Sequence, residues 1–165
     1  MVLAMVLTLT VSAEAQKKKP VTKKTTTTTA AATNTLEVKQ AAEKVSIQIK
    51  NVTKFIYVLG GIAQGIEATD KEAKTGKLTK AIIDKNNNYK QTVVSGIRNL
   101  KAGLAELETL FRSKPSLKTY VLSIEGITEL CNQSEDLAIG GQFSESGRPL
   151  LTVVEKLADT LTALP

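Results

Sequence analysis

Residues 36–73 read LEVKQAAEKVSIQIKNVTKFIYVLGGIAQGIEATDKEA, and the spacing of their apolar side chains decides the fold. Val38, Val45, Val52, Leu59 and Ile66 recur every seven residues, and Ala42, Ile49, Ile56 and Ala63 supply a second row. Two such rows are the a and d positions of a helix that packs on other helices. Phe55 and Ile62 widen the seam into a core-facing stripe. The run 55–66 is apolar, but Lys50, Lys54 and Glu67 bracket it more tightly than a bilayer span of about twenty residues allows.

Toward the C-terminus, Thr75-Gly76-Lys77 is a stop, with Gly76 suited to a left-handed cap. A second helix is expected over 78–112. Its rows are Asn86, Val93, Leu100 and Leu107, and Ile82, Tyr89, Gly96, Gly103 and Leu110, with Ile97, Leu104 and Phe111 beside them. Ser113-Lys114-Pro115 breaks the chain and restarts it, because proline suits the first helical position. The third helix is expected over 115–139, with Leu117, Tyr120, Ile124, Ile127 and Cys131 inward and Gly140-Gly141 at its end. The last is expected over 149–164, on the stripe Leu150, Val154, Leu157, Leu161 and Leu164.

Short connections between long amphipathic helices imply antiparallel neighbours. The expected fold is therefore all-α: an antiparallel up-down-up-down four-helix bundle over 36–165. At 1.5 Å per residue the first two helices run roughly 50 Å and the third roughly 37 Å. The first hairpin should thus project past the body, with its tip over 67–85.

Toward the N-terminus the pattern disappears. Residues 1–15 form a short apolar run ending in Ala13-Glu14-Ala15, and small residues at −3 and −1 fit cleavage of an export signal. No basic residue precedes the apolar run. Residues 16–35 hold Lys17, Lys18, Lys19, Lys23, Lys24 and a threonine run; such a segment cannot build a packed core and is expected to be disordered. The chain has 22 basic and 16 acidic residues, net +6. With Glu14 and these five lysines set aside, 17 basic and 15 acidic residues remain in 30–165. The basicity belongs to the tail.

Composition narrows the chemistry. Histidine is absent, which excludes a histidine base, histidine-paired nucleophiles and His-ligated metals. Cys131 is the single cysteine; it lies on the apolar stripe and reads as a small core residue. Glu125 and Glu129 stand four apart on one helical face, a spacing that two ligands of a hard cation share and that solvated faces show far more often. No phosphate-loop, dinucleotide, nucleophile-elbow or paired-cysteine motif is present. The expectation is a protein that is not an enzyme and has no cofactor and no metal site.

Pairing across Gly76 brings Gln64 near Asn86 and Gly60-Gly61 near Tyr89. The loop 140–149, carrying Gln142 and Phe143, should reach the same level. Gln64, Asn86, Tyr89, Gln142 and Phe143 are the candidate ligand or partner site, and the five tail lysines the candidate surface-binding set. Three arginines and no aromatics interleaved with the basic residues argue against nucleic acid.

The leading expectation is a non-catalytic binding or structural protein of the cell envelope, exported to the periplasm or secreted. Its tail would meet an anionic polymer or lipid surface, and its hairpin tip a protein partner or a second copy. The alternative is a small-molecule or lipid-binding bundle, motivated by small seam residues at Gly60, Gly61, Gly96 and Gly103.

Overall fold

The computed structural model describes the backbone from residue 26 to 165 and side chains from residue 34 onward. The apolar run, the cleavage site and Lys17, Lys18, Lys19, Lys23 and Lys24 lie outside these residues. Among the described residues there are helices and no strand. Four long helices carry the architecture: α1 (Thr26–Ala73), α2 (Lys80–Ser113), α4 (Ile127–Ile139) and α5 (Phe143–Ala163). A 3₁₀ segment, Pro115–Tyr120, and the one-turn α3, Val121–Ile124, lie between α2 and α4.

The heptad row of α1 is buried throughout: Val38, Val45, Val52, Leu59 and Ile66 all face the core, joined by Ala41 and Ala63. Ala42, Ile49, Phe55, Ile56 and Ile62 pack half-buried against it. Helix α1 packs on α2 and α5, and α4 packs on the same two helices. One shared core results, with Phe111, Phe143, Ile97, Leu104, Leu150 and Leu157 at its centre. Contacts descend α1 as they climb α2: Asn86 reaches Ile66, Gly96 lies against Phe55 and Gly103 against Gln48.

Two boundaries differ from the sequence reading. The third helix is not continuous over 115–139. Its first six residues take the tighter 3₁₀ form, and Gly126, at φ +88°, breaks the chain before α4. Glu125 therefore ends one element while Glu129 lies inside the next, so they do not share one helical face. Glu125 instead accepts from Arg112 and Glu129 from Asn132.

The last helix starts at Phe143, not Pro149, which sits inside it. That first turn is secured from several sides. Phe143 is fully buried, Ser134 Oγ donates to Ser146 O at 2.7 Å, and Ser144 N donates to Glu67 Oε1 at 2.8 Å. The missing proline N–H leaves only the carbonyl of exposed Glu145 without its helical donor.

No helix among the described residues is long and apolar enough to cross a membrane.

Candidate functional site

From residue 67 to 85 no side chain is buried, whereas Ile66 and Asn86 on either side are. A polar clasp marks this boundary. Asn86 Nδ2 donates to Ile66 O at 3.2 Å and to Asp70 Oδ1 at 2.8 Å. Lys90 Nζ pairs with the same Asp70 oxygen at 2.5 Å. Both hydrogens of a buried amide are thus used, which keeps its burial from being costly. Asn86 thereby fixes the register of α2 on α1.

Tyr89 stands one turn away on a different surface. With Ile82, Lys85 and Asn86 of α2 and Gly61, Ile62, Gly65, Ile66 and Thr69 of α1, it lines an open groove of about 390 Å³. The groove is largely apolar: Ile82 and Tyr89 remain 46% and 44% exposed. Lys85 Nζ sits 5.7 Å from the centroid of the Tyr89 ring, within range of a cation–π contact.

Gln142 lies on a second, charged groove at the Gly140-Gly141 corner, together with Glu67, Asp70, Lys71, Lys74 and Lys90. Much of that charge is already engaged. Glu67 accepts from the first turn of α5, where an anion is favoured by the unpaired amides, and Asp70 takes Asn86 and Lys90. Gln64 is exposed on a third surface, between α1 and α5, beside Gly60, Gly147 and Leu151. Phe143 is core.

The five candidate residues therefore do not form one site. Asn86 and Tyr89 share a groove. Gln142 and Phe143 line adjoining grooves that share Asp70, Lys90, Gly140 and Gly141, and Gln64 lies apart, between α1 and α5. What sequence reasoning missed is the acidic pair Glu67 and Asp70, which ties α1 to α5 and to α2. Both stand within four residues of the last buried position of α1, and that placement was the available signal.

The small seam residues divide in two. A Cβ on Gly96 would lie 2.5 Å from Phe55 Cε2, and one on Gly103 would lie 2.7 Å from Gln48 Nε2. Neighbours already fill those positions. Gly60, Gly61 and Gly65 have no atom within 4 Å of a Cβ; they face outward and bound surface grooves, not interior space.

Two further carboxylates pair within the fold. Glu135, 8% exposed, accepts from Arg98 Nε and Lys101 Nζ, each at 2.6 Å. Lys101 first and Arg98 second hold its carboxyl below the usual range. Glu37 accepts from Ser116 Oγ at 2.6 Å and Lys114 Nζ at 2.9 Å, and these two contacts, Ser116 leading, hold its carboxyl below the usual range too. Cys131 is buried, and burial pushes its thiol up to about 11. Among the described residues no three His, Cys, Asp or Glu gather to hold a metal ion.

Comparison with protein-family models, with curated proteins and with solved structures found no match.

Proposed function

We propose that this chain is a non-catalytic binding or structural protein of the cell envelope. In this reading it is exported to the periplasm or beyond, and Lys17, Lys18, Lys19, Lys23 and Lys24 hold it to an anionic surface. The body is an antiparallel up-down-up-down bundle whose first hairpin extends past the other helices to meet a partner.

Segregation of charge carries the reading. Five lysines and no acid lie in 16–29, against 17 basic and 15 acidic residues in 30–165. Acids of the body that approach the core, Glu135, Glu37 and Asp70, are matched by cations of the body itself. Each lysine near an anionic surface contributes about 1 kcal/mol, so a run of five suffices for reversible attachment. The packing at Gly96 and Gly103 speaks against a ligand held inside the bundle, so recognition falls to the outer surface.

The test compares the chain with a variant carrying glutamine at all five lysines. Binding to vesicles with and without anionic lipid, and to isolated wall polymer, is measured at about 0.1 M and about 1 M salt, between which the screening length falls from ~10 to ~3 Å. The parent should bind anionic material at low salt and release it at high salt, and the variant should bind at least about tenfold less. Equal binding by both proteins, or binding indifferent to salt, would remove the anchor.

A further inference from the structure

Helix α1 has a second face, opposite its core seam, that stays exposed along its length and meets α2 only where Gly61 and Gly65 border the Tyr89 groove. Lys50, Lys54, Tyr57, Gly61, Gly65, Ala68 and Glu72 follow one another at steps of three or four residues, so they share one side of the helix. All are exposed. Tyr57 is 85% exposed and the adjoining Val58 57%, unusual for side chains this large and apolar. Gly61 and Gly65 leave open space beside the tyrosine.

The face is symmetric about Gly61. Lys50 and Glu72 lie eleven residues to either side of it, and Tyr57 and Gly65 four. We infer that this face binds a second copy of the chain, α1 against α1 in opposite directions, with Gly61 at the two-fold axis.

That register sets Tyr57 of each copy on Gly65 of the other and Lys50 of each against Glu72 of the other. Every contact occurs twice, as a two-fold interface requires. Neither Lys50 nor Glu72 makes an ion pair within the described residues, so both are free to pair across the axis. The glycines let the backbones approach closely enough for the rings to lie flat. Lys54 meets Ala68, so the face places no like charges opposite one another.

Each buried tyrosine contributes roughly 150–250 Å². Seven residues per copy is far fewer than the roughly 20–30 a side of a standard stable interface, so weak dimerisation, in the micromolar range or above, is expected. The inference is independent of the proposed anchoring role: no tail lysine takes part.

Sedimentation equilibrium on the full chain, from about 1 μM to about 1 mM, tests it. A monomer–dimer equilibrium is expected. Gly61→Leu with Gly65→Leu should weaken it at least tenfold with helix content retained, because both positions are open in the monomer. Lys50→Glu alone and Glu72→Lys alone should each weaken it about three- to tenfold, and the two together should restore it. A protein that stays monomeric throughout overturns the inference. So does a dimer that ignores the leucines, or one that the charge exchange fails to restore.

Discussion

At the scale of single residues, Glu135 shows a charged group put to structural use. Its carboxylate lies between Lys101 and Arg98 of α2, which fastens α4 to α2. Its side chain is 11% exposed, while Arg98 and Lys101 are 58% and 33% exposed. Both cations therefore keep part of their hydration, and the stabilisation is smaller than for a fully buried pair. An unfolded glutamate titrates near 4.3, and the folded one lies lower. The carboxylate thus contributes stability that is fully present above the unfolded value and is lost as pH falls through the folded one. Glu135→Gln should cost about 1–2 kcal/mol at neutral pH. The difference from the parent should shrink as pH drops from about 5 toward 3. Urea midpoints at several pH values check this, and a gap that stays constant with pH would mean that shape, not charge, matters at this position.

At the scale of elements, what the sequence disclosed depended on what a repeat can carry. The rows of α1 were legible because Val38 through Ile66 keep one heptad phase over their whole length, and all five are buried. In α2 the phase also held for Val93, Ile97, Leu104 and Phe111. Ile82 and Tyr89 keep the same phase yet stay exposed, because a repeat says which side of a helix faces inward and not whether another helix covers it there. Periodicity likewise passes through Gly126 without a mark, although its φ of +88° ends one element and starts another. Pro149 misled in the opposite sense. It resembles a helix start, but burial of Phe143 and the Ser134–Ser146 bond extend α5 back past it. The candidate site scattered for a related reason: residues at one level along a bundle need not share one side of it.

Gly126 gives the element-scale prediction. It has open space around its Cβ position, so only backbone strain opposes a side chain there. Gly126→Ala should destabilise by about 1–2 kcal/mol, whereas Gly60→Ala, within α1 and equally open, should stabilise by about 0.5–1 kcal/mol. Thermal melts of the two variants should move in opposite directions. A shared direction would mean that the left-handed turn is not what separates α3 from α4.

At the scale of the whole molecule, burial divides the first two helices into two regimes. Over 45–66 and 93–111 they take part in the shared core, but from 67 to 85 nothing is buried. That end has no buried core of its own; beyond Glu67, which bonds the first turn of α5, its resistance to opening depends on local contacts. The clasp of Asp70, Asn86 and Lys90 sits where the regimes meet. Amide hydrogen exchange at low protein concentration should find 67–85 opening with a small free energy, while amides of 45–66 and 93–111 exchange only through global unfolding. Asn86→Ala removes two hydrogen bonds at the boundary, a loss of about 1–2 kcal/mol. Most of that loss should fall on the hairpin end, raising its exchange roughly fivefold to thirtyfold by the same arithmetic, with a smaller effect across the core. Uniform protection along both helices, or an Asn86→Ala effect spread evenly over the molecule, would show instead that hairpin and core open as one unit. The distinction bears on partner binding, because a segment that opens locally can adjust to a partner without loosening the bundle that supports it.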